Sequence, residues 1–256
     1  MIRSPRRPGA TRFAAIAIIA GAACLLALSA AGESTRAAAV GELRPDLVAL
    51  PPTEVRLASE NGRTYLRFTT TSWNAGAGPL ELFVRPDETP SNGLQRVYQR
   101  TYISGGGSSE SMAGDFTWHP THDHFHFEGY AVYELSAPGL TPRIGQKTSF
   151  CILDTTKVNV RLSGAPKRAV YASCGNSFQG MSVGWGDAYR YYLDGQQIEV
   201  TDLPAGRYQL SIKIDPNHHL IESGDAANNN ISVDIDIDVS AGTASVVGSG
   251  RGRGNR

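Results

Sequence analysis

Apolar and polar residues alternate strictly in the last long segment before the C-terminal tail. The apolar positions are Ile231, Val233, Ile235, Ile237 and Val239, and serine or aspartate lies between them. Successive side chains of a β-strand point to opposite faces of a sheet, whereas a helix would spread these residues around its circumference. The segment therefore predicts an antiparallel strand with one buried face and one wet face.

The same alternation recurs along most of the chain. It is found at residues 66–69, 80–84, 132–135 and 208–214, and the intervals are rich in glycine, proline, asparagine and aspartate. No window of a dozen residues has a convincing helical stripe. Many short strands separated by turns predict an all-β fold, an antiparallel β-sandwich-like single domain with long loops.

The N-terminal residues have the pattern of an export signal. Four arginines precede an uncharged apolar run at residues 13–31, which ends in small residues. This pattern predicts a signal peptide and short leader over residues 1–39 and a secreted or extracytoplasmic protein. The alternative is an uncleaved membrane anchor, because the run is near the minimum length that spans a bilayer.

The remaining chain has room for one domain, which we place at residues 40–240. Residues 241–256 are rich in glycine and arginine and are predicted to be a disordered tail. Removing the four N-terminal arginines from 24 basic residues leaves 20 against 24 acidic residues. This mildly acidic balance argues against nucleic acid as a partner.

Four of the six histidines fall within eight residues. On a strand, His122, His124 and His126 would share one face. Neighbours on that face are about 6.7 Å apart and a metal lies about 2.0 Å from an imidazole nitrogen, so the third ligand requires a bend or bulge. Three neutral imidazoles with an open position suit catalytic zinc or copper. The alternative is a run of surface histidines without a metal.

Two cysteines remain outside the N-terminal segment, Cys151 and Cys174. An even pair in an exported chain predicts a disulfide, which would close a loop of about 24 residues and contribute roughly 3 kcal/mol. The alternative is that one of the two cysteines is a thiolate ligand of a metal.

Several motifs, taken in order, resemble the catalytic domain of the lysyl oxidase family. They lie at residues 118–126, 145–155, 180–189 and 202–208, and the resemblance covers about residues 46–236. Gln146 stands where the animal enzymes have a histidine, and the chain lacks their additional cysteines, which implies fewer disulfides.

The resemblance implies an exported copper amine oxidase that converts primary amines, with peptidyl-lysine among the candidates, to aldehydes. Dioxygen would be consumed, and hydrogen peroxide and ammonia released. By motif, His122, His124 and His126 would hold copper, and Lys147 and Tyr189 would form the cofactor lysine tyrosylquinone. His119 matches a family histidine that is not taken as a ligand.

The sequence leaves two questions about this function open. Asp123, Asp154 and Asp187 are all candidates for the general base. In addition, residues 206–239 also resemble bacterial adhesion-related sandwich modules. The alternative function is therefore a non-catalytic metal-binding or adhesive β-sandwich.

Carboxylate and amide side chains are concentrated in the turn at residues 222–230. Such oxygens are the hard ligands that calcium takes, although aspartate and asparagine also favour turns without any ion. In the lysyl oxidase family a similar turn meets a segment like residues 46–47 at calcium. The resemblance thus implies a calcium site formed by Asp46, Leu47, Glu222, Asp225, Asn228 and Asn229.

Overall fold

A computed structural model describes residues 41–175, 177–224 and 226–247. The predicted signal peptide at residues 1–39, the predicted calcium ligand Asp225 and residues 248–256 of the predicted tail lie outside these ranges. Within them, no helix has the length and apolar character needed to cross a membrane.

The described residues form eighteen strands and one 3₁₀ helix, at Ala226–Asn229. In chain order the strands are β1 (Glu42–Leu43), β2 (Leu47–Ala49), β3 (Thr53–Glu60), β4 (Arg63–Asn74), β5 (Leu80–Phe83), β6 (Leu94–Ile103), β7 (Ser108–His119), β8 (His124–Glu128), β9 (Ala131–Ser136), β10 (Arg143–Ile144), β11 (Ser149–Phe150), β12 (Thr156–Lys157), β13 (Phe178–Met181), β14 (Trp185–Tyr189), β15 (Gln197–Glu199), β16 (Gly206–Ile214), β17 (Asn230–Asp238) and β18 (Thr243–Val246). All pairs among these strands are antiparallel. The predicted all-β class is confirmed.

The strands form three sheets. The first has the order β11-β8-β7-β6-β5-β13, with β1 also paired to β6. The second has the order β10-β9-β16-β17-β18, and the third has the order β12-β14-β4-β15, with β2 and β3 also paired to β4. Their apolar side chains meet in one core, where Phe127 of the first sheet, Leu210 of the second and Phe68 of the third are all buried.

The alternation in β17 produces the burial that the sequence predicts. Ile235 and Ile237 are buried, while Asp234 and Asp236 are exposed. β18 then pairs with the free edge of β17. Residues 243–246 therefore belong to the folded domain and not to the disordered tail predicted from residue 241, because a partner edge stabilises a segment that composition alone does not mark as a strand.

The candidate site takes its residues from all three sheets. The histidines lie on or next to the β7–β8 hairpin of the first sheet. Lys147 lies in the link from β10 of the second sheet to β11 of the first, and Tyr189 is the last residue of β14 in the third. The site consequently exists only when the three sheets are packed together.

Candidate metal centre

The turn between β7 and β8 determines where the histidines lie. The backbone N–H groups of His122 and Asp123 both donate to the carbonyl of His119 at 3.0 Å, and Asp123 has a φ of 56°. His124 and His126 lie on one face of β8, whereas His122 lies in the turn. The alternation had predicted His122 on the strand, and this was wrong. The turn instead supplies the bend that a third ligand requires.

Three ring nitrogens converge at this turn. His126 Nε2 lies 2.9 Å from His124 Nε2 and 3.3 Å from His122 Nδ1. Two nitrogens bound to one ion at about 2.0 Å with a tetrahedral angle are about 3.3 Å apart. The separations of His126 from His124 and from His122 therefore fit nitrogens that bind a single metal ion.

The other nitrogen of each ring faces a polar partner. His122 Nε2 lies 4.0 Å from the Asp194 carboxylate, His124 Nδ1 donates to the His122 carbonyl at 2.8 Å, and His126 Nδ1 lies 3.3 Å from Ser149 Oγ. Metal-binding histidines typically engage a carboxylate, a carbonyl or another polar group in this way, which fixes the ring orientation. The donor set therefore fits a metal such as copper.

Burial favours the neutral form of two of these histidines, His122 and His126. His126 is buried, and desolvation, with a smaller contribution from the Lys147 charge, lowers its pKa to about 3. Desolvation also lowers the pKa of His122. Because the neutral imidazole is the form that binds metals, neither of these rings has to lose a proton at neutral pH.

The fourth histidine, His119, packs against this cluster. Its ring stacks on His122 with the centroids 4.1 Å apart, and it lies 4.6 Å from the His126 ring. One of its nitrogens lies within 4.8 Å of nitrogens of both neighbours, while its Nδ1 is 3.0 Å from Thr121 Oγ1. The resemblance set His119 aside as a ligand, whereas the structure places one of its ring nitrogens with those of His122 and His126 in a group that could hold a metal ion.

Lys147 and Tyr189, which are 42 residues apart in the sequence, meet beside the histidines. The Lys147 Nζ lies 5.2 Å from the centroid of the Tyr189 ring and 5.2 Å from that of Phe150. Lys147 is only 8% exposed, and desolvation lowers its pKa although Asp194 and Asp187 oppose this. The amine is thus more readily neutral, and more nucleophilic, than a surface lysine.

The backbone around Lys147 is held from two sides. The Gln146 N–H donates to the Gln197 carbonyl at 3.3 Å, and the Gly129 N–H donates to the Thr148 carbonyl at 2.9 Å. Gly195, which has a φ of 72°, comes so close that an added Cβ would lie 3.4 Å from Lys147 Cβ. These contacts fix the direction in which the lysine leaves the backbone.

The Tyr189 ring is fixed by one hydrogen bond and one aromatic contact. Its hydroxyl donates to the Cys151 carbonyl at 2.6 Å, and its ring meets Phe150 edge to face at 4.7 Å. Desolvation raises the pKa of Tyr189 well above its usual value. The phenol is therefore protonated at neutral pH.

The structure separates the three candidate bases. Asp123 is exposed in the hairpin turn. Asp154 is buried, and its carboxylate accepts hydrogen bonds from the Val170 N–H at 2.8 Å and from both the N–H and the hydroxyl of Ser182 at 2.7 Å. Asp154 therefore holds two chain segments together and has little capacity left for proton transfer.

Asp187 is the one of these three carboxyl groups that lines the cavity with Lys147 and Tyr189. Its oxygens accept hydrogen bonds from the Leu153 N–H at 3.3 Å and the Thr155 hydroxyl at 3.2 Å. It is buried, and desolvation raises its pKa to about 8. A carboxyl with this pKa can exchange a proton near neutral pH.

The cavity that joins these groups has a volume of about 210 Å³. Its lining includes the three histidines, Lys147 and Tyr189, together with the apolar side chains of Leu153 and Leu193 and the exposed carboxylate of Asp194. Leu193, Asp194 and Ser149 were not predicted as site residues. Their closeness in sequence to predicted site residues could have identified two of them, because Asp194 follows Tyr189 by five residues and Ser149 follows Lys147 by two.

Cys151 and Cys174 are bonded to each other, as predicted, with their Cα atoms 5.7 Å apart. The disulfide also lines the cavity. Cys151 thus contributes to the site twice, through its sulfur and through the carbonyl that binds Tyr189.

Five of the six predicted calcium ligands, all except Asp225, come together in the structure. Asn228 Nδ2 donates to Asp46 Oδ1 at 2.8 Å, and the Glu222 carboxylate accepts from Asn229 Nδ2 at 2.8 Å and from the Leu47 N–H at 2.6 Å. Asn228 Oδ1 is buried and has no hydrogen-bond partner among the described residues. An unpaired buried oxygen is expected where a cation binds.

The charge at this cluster also fits a cation. Desolvation, with smaller contributions from the nearby carboxylates of Asp215 and Asp46, raises the pKa of Glu222 to about 7. Carboxylate, amide and carbonyl oxygens are the ligands that calcium prefers. The residues present are therefore suited to a calcium ion.

The fold and the site together define a class of protein, an antiparallel β protein with a histidine cluster beside a buried lysine and a tyrosine. The sequence model of the family described as lysyl oxidase matches residues 95–246, which is more than half of the chain. The chain belongs to the lysyl oxidase family. The matched range contains the four clustered histidines and the Lys147–Tyr189 pair.

Similar proteins carry the same family name. Lysyl oxidase homolog 3B of Danio rerio is 39% identical over 116 residues, which cover 44% of this chain and 14% of that protein. Lysyl oxidase homolog 2 of Rattus norvegicus is 36% identical over 147 residues, which cover 55% of this chain and 18% of that protein. The chain therefore spans less than a fifth of the length of these relatives.

Proposed function

We propose that this chain is an exported copper-dependent amine oxidase that acts on primary amines, including lysine side chains of proteins. In the balanced reaction, an amine, dioxygen and water give an aldehyde, ammonia and hydrogen peroxide. Family membership supports a copper amine oxidase. The observation that carries the proposal is the 5.2 Å approach of Lys147 Nζ to the Tyr189 ring in the cavity that the three histidines line.

In this proposal His122, His124 and His126 hold the copper ion and leave it an open position. Copper with dioxygen would supply the oxidation of the Tyr189 ring, and the lysine tyrosylquinone built from Tyr189 and Lys147 would accept two electrons from the amine. Lys147 contributes a buried amine whose lowered pKa favours the neutral nucleophile. Phe150 and the Cys151 carbonyl hold the Tyr189 ring in place for attack by the Lys147 amine.

Asp187 is proposed as the general base. Its ionised carboxylate would take a proton from the substrate carbon that bears the nitrogen, and its two hydrogen bonds keep it aimed at the cavity. The exposed Asp194 carboxylate at the cavity lining would attract the cationic amine as it arrives. A cavity of about 210 Å³ suits a thin alkylamine chain such as a lysine side chain or a short diamine.

The cofactor is tested by mass spectrometry after aerobic copper loading. We expect a tryptic digest of the wild type to contain one cross-linked species that includes both Lys147 and Tyr189. Tyr189→Phe should keep its copper, because the ring is oxidised and is not a ligand, but should produce no peroxide from a primary amine. Lys147→Ala should lose the cross-link.

Tyr192→Phe is the matched control, because Tyr192 lies three residues from Tyr189 and is 62% exposed. This variant should retain the cross-link and the amine-dependent peroxide. Separate, unmodified Lys147 and Tyr189 peptides from copper-saturated wild type, with no amine-dependent peroxide, would favour the non-catalytic metal-binding sandwich.

We further propose that Asp46, Leu47, Glu222, Asp225, Asn228 and Asn229 bind a structural calcium ion. Support comes from the unpaired Asn228 Oδ1 and from the raised pKa of Glu222. The ion would tie the start of the folded domain to the turn before its last long strand.

A further inference from the structure

The disulfide lies against the histidine centre. A ring nitrogen of His124 and the sulfurs of Cys151 and Cys174 all lie within 4.8 Å of one another. Because His124 Nδ1 is hydrogen-bonded to the His122 carbonyl, the nitrogen that His124 can offer to a metal is Nε2. One nitrogen and two sulfurs at this separation are within reach of a single ion once the sulfurs are no longer bonded to each other.

The two sulfurs differ in their access to solvent. Cys151 is 4% exposed, whereas Cys174 is half-buried on a loop. Both line the same cavity as His124, so an ion that enters this cavity meets the histidine and the cysteines together. The pair is therefore accessible to small ions and to reagents that exchange disulfides.

We propose that Cys151 and Cys174 in their dithiol form, together with His124, make a second metal site that binds a soft ion such as Cu(I) or Zn²⁺. Thiolates with one imidazole are ligands that Cu(I) and zinc prefer, while three imidazoles suit Cu(II). Every chain begins in the dithiol form, because cysteines are incorporated as thiols. The site would thus exist before the disulfide closes.

Closing the disulfide would dismantle this site. The two thiols lose two protons and two electrons and form one S–S bond, while the oxidant, a disulfide of another molecule, is reduced to two thiols. The sulfurs then no longer act as thiolate ligands. His124 Nε2 becomes free for the cluster with His122 and His126.

The two sites share His124, so they cannot be filled at the same time by separate ions. The redox state of one cysteine pair would therefore select between a soft-metal site and the three-histidine site. This selection does not depend on amine oxidation or on any link between Lys147 and Tyr189. It can be tested on protein that has never turned over a substrate.

The test uses the full chain with Cys24→Ser, so that Cys151 and Cys174 are its only cysteines. One sample keeps the disulfide and a matched sample is reduced with dithiothreitol and desalted without oxygen. Cu(I) affinity is measured by competition with a coloured Cu(I) chelator, and X-ray absorption identifies the ligand atoms. We expect the dithiol sample to bind one Cu(I) with sulfur ligands, at least tenfold more tightly than the disulfide sample.

Two histidine variants separate the sites. In the dithiol sample, His124→Ala should lower Cu(I) affinity at least tenfold, because it removes a shared ligand. His126→Ala should leave that affinity and the sulfur signal in place, because His126 belongs to the three-histidine cluster alone. Circular dichroism of each sample checks that the β-sheet fold is present.

Several results would overturn the proposal. These are a Cu(I) spectrum without sulfur ligands, equal affinity in the dithiol and disulfide samples, or an equal loss in His124→Ala and His126→Ala. A dithiol chain that has lost its sheet structure would also overturn it, since the site requires the folded cavity.

Discussion

Asp187 is buried and its pKa lies near neutral pH, so its protonation should change the stability of the folded chain with pH. Its pKa is about 8 in the folded protein against a usual value of 3.8. Between these pH values the folded chain retains a proton that the unfolded chain has lost. The free energy of unfolding therefore falls as the pH rises through this window.

We expect Asp187→Asn to remove this fall in the metal-free protein. Denaturant unfolding at pH 5 and pH 8 should show a smaller decrease for the variant than for the wild type, with a difference on the order of a few kcal/mol. Comparing the two proteins cancels the contribution of His126, whose depressed pKa acts below its usual value of 6.5 in the opposite direction. Asp234→Asn, at an exposed aspartate of β17, should behave as the wild type, and parallel pH profiles for all three proteins would refute the assignment.

The three converging histidines make an equally direct prediction about copper. Replacing His122, His124 or His126 by alanine should reduce the copper content well below one ion per chain, because each ring supplies one ligand nitrogen. His119→Ala should retain more copper than any of these variants, since the family resemblance does not take His119 as a ligand. Metal analysis after gel filtration measures the copper content of each variant. Full copper content in all three of the His122, His124 and His126 variants would contradict the proposed ligand set.

Residue identities were predictable wherever a motif carried them. The histidines could be named from their spacing, and Lys147 and Tyr189 from the resemblance to the lysyl oxidase family; the structure brings Lys147, Tyr189 and the three predicted copper ligands into one cavity. The choice of Asp187 over Asp123 and Asp154 could not be made, because it depends on which carboxyl faces the cavity and which has its oxygens already bonded. Such differences arise only when strands from different sheets meet.

At the scale of elements, the β7–β8 hairpin is the part of the fold that shapes the metal centre. Asp123 has the left-handed φ of 56°, which glycine adopts freely and which aspartate tolerates. A β-branched residue at this position is strongly disfavoured. The turn therefore depends on a residue that contributes no ligand.

We expect Asp123→Gly to bind copper as the wild type does. Asp123→Val should destabilise the chain by about 1–2 kcal/mol and lower its copper affinity, because the left-handed conformation is costly for valine and His122 is next to it. Thermal unfolding and copper titration measure the two effects. If valine and glycine at position 123 gave equal copper affinity, the turn would not control the geometry of His122.

The long strands were predictable because alternation is a local signal that one buried face produces. The two-residue strands β10, β11 and β12 carry no such signal, and β18 forms because β17 offers an unpaired edge. His122 was placed on a strand because alternation continues into the turn. Local pattern cannot show where backbone pairing stops, since that depends on the partner strand.

For the molecule as a whole, the proposed calcium site joins segments that are far apart in the chain. Asp46 and Asn228 are 182 positions apart and share a hydrogen bond, and Leu47 binds Glu222. An ion held by both segments binds only the folded chain, so it stabilises that state by mass action. This linkage could be inferred only from the family resemblance, because nothing in the local sequence connects residue 46 to residue 222.

Calcium should raise the unfolding temperature of the protein. At a calcium concentration of 100 times the dissociation constant, the gain is about 2.7 kcal/mol. Glu222→Gln should abolish the calcium-dependent shift, while Asp234→Asn should preserve it. Differential scanning calorimetry with calcium, and then with a calcium chelator, measures the shift, and an unchanged melting temperature in both conditions would exclude the ion.

Because the site takes its residues from three separate sheets, its chemistry is restricted to folded chains. Lys147 and Tyr189 approach each other only after the chain has folded, because the link that carries the lysine and the strand that carries the tyrosine are brought together by tertiary packing. The cofactor proposed for this pair would therefore form only in correctly folded chains. A misfolded copy would carry two inert side chains and pose no chemical hazard to its neighbours.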